Sequence, residues 1–284
     1  MLDLFASLSK DTRKGRLREY RDYLIDRDGE LNIEERKLAR REESIKRYET
    51  PPKTLRSMDE VEFRRRYVSF DKHDRPSEEM LLILALVKIN SAEAYGVSRN
   101  YQRTMDRALK NEDDTELRIL CEEGYHTRIL LSSANHYGIE VNEPYRPPSA
   151  LRLMIGGIAT APMFIARPLV LAGEIIATLM FAKLIETTER VLKNDPEARD
   201  AILERVMEIC VDERGHTTFN RLHASAAELA ETRLILPMTA RIMSTVFSEM
   251  VALGAFPLDI MRELPLITEP KYLPAEVNRQ SFLA

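Results

Sequence analysis

Cys121-Glu122-Glu123-Gly124-Tyr125-His126 and Val211-Asp212-Glu213-Arg214-Gly215-His216 are the two stretches on which the reading of this chain turns. Each places a Glu three residues before a His, and each puts an acid directly before that Glu. Spacing i,i+3 sets both side chains on one face of a helix. Both stretches lie midway along segments whose apolar residues recur at three and four, the helical period. By chance, two such matches among the five histidines arise in roughly one protein in ten of this composition; the flanking acids and central placement lower that roughly another 30- to 40-fold. Carboxylates buried beside imidazoles in an apolar stripe are costly unless a cation compensates them. A bundle of four helices solves this when two helices each give a Glu-x-x-His, the other two each give a Glu, and the set binds two metals. Glu122 and Asp212 are then expected to accept from the imidazole N–H groups, which decides the ring nitrogen that faces the metal.

The rest of the chain fits an all-α fold. Only ten of the 284 residues are Gly, and apolar spacings of three and four fill the stretches between Pro clusters. A single domain is expected, with charged N-terminal helices over 1–75, a bundle over 76–230, and a C-terminal helix with a wrapping tail over 231–284. Residues 10–49 are dense in alternating charges, which reads as two solvated surface helices laced by i,i+4 pairs, ended by Pro51-Pro52. Pro76-Ser77-Glu78-Glu79 opens the first long helix, whose inward stripe is Leu82, Leu86, Ile89, Glu93 and Val97. The second runs from about Thr115 to Tyr137, ending at Gly138. A short helix is expected near 151–158, and the third long helix over about 168–193. Asp195 caps the fourth, with Pro196 at its first position, and that helix reaches about Leu229. A fifth covers about 237–253.

The two single Glu ligands follow from height along the helices. From a turn centred between Asn194 and Asp195, Glu213 lies about 28 Å along the axis, Glu174 about 31 Å and Glu186 only about 13 Å. Glu174 matches and Glu186 reads as a rim carboxylate. On the first helix Glu93 is the one acid between Met80 and Thr104. A turn centred near Asp113 leaves it about 13 Å too high, so it fits only if that helix stops short of Lys110 or the connection is lopsided. His73, His136 and His223 are expected to stand outside the cluster. The apolar residues Leu86, Ile89, Met180, Phe181 and Ile209 are expected to line it and exclude water.

These strings, with Ala172-Gly173-Glu174-Ile175-Ile176 between them, resemble the ferritin-like di-iron carboxylate oxygenases, most nearly the p-aminobenzoate N-oxygenase (AurF-like) family, over roughly residues 76–230. The resemblance implies a ferritin-like four-helix bundle core with additional N- and C-terminal helices. It implies Glu93, Glu123, His126, Glu174, Glu213 and His216 as ligands to two Fe ions, or to Mn and Fe, with O2 as co-substrate. It also implies a small-molecule substrate and an external reductase as electron donor, since nothing in the chain looks like a flavin or iron–sulfur domain. Those N-oxygenases carry a further histidine ligand one turn before the second motif's Glu. Here Ile209 occupies that position, so a six-ligand site follows and amine N-oxygenation loses its specific support.

Composition bounds the alternatives. The 42 basic and 46 acidic residues leave a formal charge of −4, with no unopposed basic patch, so nucleic acid is not an expected partner. The longest apolar region, 168–185, contains Gly173, Glu174 and Lys183 and reads as a buried core helix, so no membrane partner is expected. Two cysteines, Cys121 and Cys210, both within helical segments, and an N-terminus without a secretory apolar stretch fit a reduced, cytoplasmic protein. A homodimer is compatible with the chain. The competing functions are ferritin- or rubrerythrin-type iron oxidation or storage, and a metal-free helical interaction protein.

Overall fold

Helices account for nearly all the regular structure in the computed structural model, which describes residues 3–49, 57–71, 73, 76–111, 113–139 and 146–283. Four long helices hold the core: α4 (Glu78–Asn111), α5 (Thr115–Asn135), α7 (Met163–Val191) and α8 (Pro196–His223). α4 packs along α5 and α7 along α8, and the two pairs meet where α5 touches α8 and α4 touches α7. Leu82, Leu86, Leu117, Ile175, Leu179, Ile202 and Val206 are all fully enclosed between them. Spacings of four, as between Leu82 and Leu86, Ile175 and Leu179, and Ile202 and Val206, keep each pair on one stripe of its helix.

The helix starts follow local chemistry. Ser77 Oγ accepts from the amide of Met80 at 3.2 Å, and Asp195 Oδ1 accepts from that of Ala198 at 3.2 Å with Pro196 at the first helical position. Two boundaries differ from expectation. α7 begins at Met163, so Pro168 is its sixth residue. The proline ring denies a hydrogen bond only to the carbonyl four residues earlier, on Phe164, which is exposed and can use water. The fourth helix stops at His223, because Ser225 and Glu228 form a capping box that starts α9 (Ala226–Val246). α9 runs through Pro237, and α10 (Ser248–Leu253) follows it.

The outer elements cover the core. α1 (Lys10–Asp28) packs on α8 and α5, α2 (Ala39–Glu49) packs on α5, and a two-residue antiparallel hairpin, β1 (Leu31–Asn32) with β2 (Lys37–Leu38), joins them. α3 (Glu60–Val68) and α6 (Ser149–Thr160) lie against α4. The tail carries α11 (Ile260–Glu263), α12 (Pro265–Thr268) and α13 (Ala275–Gln280), which touch α9, α7 and α8 respectively. Pro51-Pro52 lies outside the described residues. α1 and α2 are not simply solvated surface helices: Tyr20, Leu24 and Asp28 of α1 and Arg41 and Ile45 of α2 are buried. Both α4 and α7, not 168–185 alone, are long and apolar enough to cross a membrane, and 67% of each apolar window is buried inside the protein.

One buried ion pair ties α10 to the core. Lys88 of α4 meets Glu249, and their side chains are only 7% and 1% exposed. Replacing Glu249 by Ala strands an ammonium group in the core and should cost about 3–5 kcal/mol by chemical denaturation. A loss under about 1 kcal/mol would show that water reaches Lys88.

Candidate metal centre

Six side chains from the four core helices meet in two overlapping groups. Glu93, Glu123, His126 and Glu213 offer donor atoms within 4.8 Å of one another, and so do Glu123, Glu174 and His216. Glu123 belongs to both. The structure therefore brings together all six residues singled out from the sequence. Glu186 is exposed on the far part of α7, and His73 is exposed as well. His136 is buried away from the cluster, its pKa pushed down to about 4 by burial and then by Arg205.

Glu93 is reached by a lopsided connection. α4 continues to Asn111, yet Asn90 Nδ2 donates to the carbonyl of Thr127 at 2.7 Å, so the two helices are in register about a point midway between 90 and 127, between 108 and 109. The last turns of α4 thus overhang the start of α5, which lowers Glu93 to the level of Glu123. On the other pair, Thr178 Oγ1 donates to the carbonyl of Glu213 at 3.0 Å and lies 2.9 Å from Thr217 Oγ1. That register sets Glu174 beside Glu213 and His216, as the helix-height reasoning requires.

The imidazoles are oriented from outside. His126 Nε2 lies 2.9 Å from Asp212 Oδ2, and His216 Nε2 lies 3.0 Å from Glu122 Oε2. As N–H donors to these carboxylates, both rings turn Nδ1 toward the cluster. His126 Nδ1 is 3.5 Å from Glu213 Oε1 and 3.6 Å from Glu123 Oε2; His216 Nδ1 is 2.9 Å from Glu123 Oε1. None of these contacts has hydrogen-bond alignment, so both Nδ1 atoms, together with Glu93 Oε2, are buried without a hydrogen-bond partner. Buried polar atoms without partners are uncommon, and three aimed into one carboxylate cluster fit a bound cation. The donor set, carboxylate oxygen and imidazole nitrogen without thiolate, suits iron or manganese.

Behind Glu122 and Asp212 stands a layer the sequence did not disclose. Arg27 of α1 is ion-paired to both Glu122 and Asp212, and also to Asp28 at 3.0 Å. Arg41 of α2 pairs with Asp212 and Glu208. One guanidinium therefore joins the two acids that hold the two imidazoles. Gly215 lets α1 approach: a Cβ there would stand 3.0 Å from the Tyr20 hydroxyl. No local signal marks these arginines, because the partners lie 95 and 171 residues away in the chain.

Burial dominates the titration of the cluster. It pushes Glu93 and Glu174 well above the usual glutamate range, with the neighbouring carboxylates adding to it. Glu213 is raised by burial and by Glu123. Glu123 feels the same burial, but the two imidazoles outweigh it and hold its carboxyl below the ordinary value. Burial acts to lower both histidines, yet Asp212 and Glu123 around His126, and Glu122 and Glu123 around His216, carry them well above the usual 6.5. Without a cation, burial favours the protonated forms of Glu93 and Glu174, and the surrounding carboxylates favour the protonated imidazoles.

Glu93, Glu123 and Glu174 also form the floor of a cavity of about 340 Å³. Leu86, Ile89, Met180, Phe181 and Ile209 are buried but do not line it. They precede or follow the ligands toward one end of the helices, whereas the cavity opens toward the other.

Comparison of the chain with protein-family models, with curated proteins and with solved structures returned no match.

Two predictions follow from the charge balance. The raised groups Glu93, Glu174, Glu213, His126 and His216 contribute stability that is complete below their ordinary values and is lost as pH rises through their raised ones. Glu122, Glu123 and Asp212, whose values are lowered, contribute above their ordinary values and lose that on acidification. The Tm of metal-free protein should therefore fall as pH rises above the ordinary imidazole value of 6.5, and Mn(II) should reverse the fall while releasing protons into a weakly buffered solution. A flat profile with no proton release would contradict the assignment. Arg27→Gln should destabilise the fold by about 3–5 kcal/mol, because two buried carboxylates lose their shared partner. Equilibrium unfolding in urea measures it.

Proposed function

We propose that this chain is a non-haem di-iron oxygenase that uses O2 to oxidise a small organic substrate. The observation that carries this reading is the shared cluster itself: Glu123 stands in both ligand groups, and its open side faces a substrate-sized cavity. α5 and α8 each give a Glu-x-x-His and α4 and α7 each give one Glu, which is the ligand pattern of ferritin-like carboxylate bundles. We extend the proposal to that bundle as the core architecture.

Glu93, Glu123, His126 and Glu213 would hold one iron, and Glu123, Glu174 and His216 the other, with manganese as an alternative in either place. Bound there, the metals would supply the two-electron reduction of O2. The overall change is R–H + O2 + 2e⁻ + 2H⁺ → R–OH + H2O, with the electrons from an external reductase, or R–NH2 to R–NHOH by the same balance. Asp212 and Glu122 keep the two imidazoles in one tautomer and one orientation. Asn220, whose Nδ2 lies 3.4 Å from Glu174 Oε1, steadies the carboxylate that faces the cavity. The buried side chains Leu86, Ile89, Met180, Phe181 and Ile209 close the cluster on the side away from the cavity. Ile209 is fully buried where the N-oxygenases have their extra histidine, so oxidation at carbon is at least as well supported as oxidation at nitrogen. The two buried free thiols fit a reducing, cytoplasmic setting.

Protein expressed with iron should carry about two Fe per chain, and less than about one would sink the reading. Glu174→Ala should remove two-metal loading while Glu186→Ala leaves it intact, both read by elemental analysis. Reduced, loaded protein given O2 should oxidise no more iron than it binds; many irons oxidised per chain would favour iron storage instead.

A further inference from the structure

The cavity above the cluster has two chemically different ends. Its side walls continue the stripes that carry the ligands: Val97 and Asn100 follow Glu93 on α4, Leu120 precedes Glu123 on α5, Val170 precedes Glu174 on α7, and Phe219 follows His216 on α8. Offsets of three, four and seven residues keep each on the inward face. The wall is therefore mainly hydrocarbon. The far end instead carries Arg103, Arg107, Arg167, Glu116 and His223.

The charges at that end do not cancel. Arg107 pairs with Glu116 at 2.6 Å and Arg167 with Glu228 at 2.9 Å. Burial holds His223 below its ordinary value, so it is neutral near pH 7. Arg103 makes no ion pair among the described residues; its guanidinium donates to the carbonyl of Ala159 and lies 3.8 Å from Met163 Sδ, which fixes it at the mouth. In the cluster below the floor, Glu93, Glu123, Glu174 and Glu213 carry 4 × (−1) and two divalent cations would carry 2 × (+2), leaving no net charge. Among the described residues, Arg103 is then the one uncompensated charge lining the cavity.

Length follows from helix rise. Arg103 lies ten residues beyond Glu93 on α4, about 15 Å along the axis, and its side chain reaches back toward the cavity. Glu116, at the same end, lies seven residues from Glu123, about 10 Å. A carbon chain advances about 1.25 Å per bond, so about eight bonds reach the level of Glu116 and about twelve reach the level at which Arg103 leaves α4.

We propose that the cavity binds an elongated apolar monocarboxylate of about eight to twelve carbons, with its carboxylate on Arg103 and its far end against Glu93, Glu123 and Glu174. The inference rests on the oxygenase reading for what happens at that far end, and on the cavity alone for binding. Arginine suits a carboxylate because its planar donors match the two oxygens. The hydrocarbon body is held by area removed from water, against the walls that α4, α5, α7 and α8 supply.

Calorimetric titration of the full-length protein, both Mn(II)-loaded and metal-free, with decanoate, methyl decanoate and decylamine tests this. The loaded protein should bind decanoate at least about tenfold more tightly than the ester or the amine, the scale of one hydrogen bond to a charged group. Arg103→Gln should remove that preference and leave ester affinity unchanged, Arg103→Lys should keep part of it, and Val97→Trp should abolish binding of all three while metal content stays the same. Equal affinity for acid and ester in the unmodified protein, or an acid preference that survives Arg103→Gln, overturns the proposal. Metal loading separates the two readings: full loading without acid preference leaves the oxygenase standing and removes this substrate class, whereas acid preference lost with Arg103→Gln in a protein that takes up no metal does the reverse.

Discussion

Four carboxylates pressed into one water-poor site repel one another, and the rest of the molecule is arranged around that repulsion. Isolated buried charges cost several kcal/mol each, so the cluster is tolerable only with positive charge at its centre, whether protons or cations. The raised values at Glu93 and Glu174 and at both imidazoles are the proton version of that compensation. Divalent cations bound there would replace those protons with charge that stays as pH rises. A site that binds metal well is thus also one whose metal-free form is under electrostatic strain in neutral solution.

The same constraint explains the outer helices. Glu122 and Asp212 are themselves fully buried, so orienting the imidazoles creates a second pair of carboxylates that must be matched. Arg27 and Arg41 do so, and they are delivered by α1 and α2. Docking of α1 is in turn possible because Gly215, inside the second Glu-x-x-His motif, leaves room for Tyr20. The glycine between Glu213 and His216 therefore serves the packing that positions the next layer of charge. The dense charge of residues 10–49 looks like solvated surface when read along the chain, and part of it is core when folded.

What could be read in advance divides by sequence separation. Glu-x-x-His pairs are local, three residues apart on one helix, and their acids lie one residue away; all of that survives folding unchanged. Glu174 was legible because α7 and α8 are joined by a short turn, so counting residues measures height. Glu93 was legible as the one acid on its stripe but not by height, because the overhang of α4 beyond α5 moves the centre of the turn by about five residues, and so the pairing by about nine, relative to the visible break. The boundary at Ser225 carried a local signal, Ser-x-x-Glu, but was hidden by apolar periodicity that runs on from α8 into α9. Arg27 and Arg41 had no local signature, since each meets acids from elsewhere in the chain.

The asymmetry of the centre bears on its chemistry. His126, His216 and Glu213 lie on the side closed by Arg27 and Arg41 and are almost fully enclosed, while Glu93, Glu123 and Glu174 face the cavity and retain some exposure. A carboxylate can change how it binds a cation by a small rotation, whereas an imidazole tethered through Nε2 cannot. The rigid ligands are thus gathered on the closed side and the adaptable ones on the side where a substrate would arrive. An iron-storage site needs a path for ions, and an acidic funnel would serve it. The wall here is hydrocarbon, and the charge at its outer end is positive, which repels cations and draws in an organic anion. That polarity is the reverse of what a path for cations would need, and it is the polarity an entering organic anion would meet.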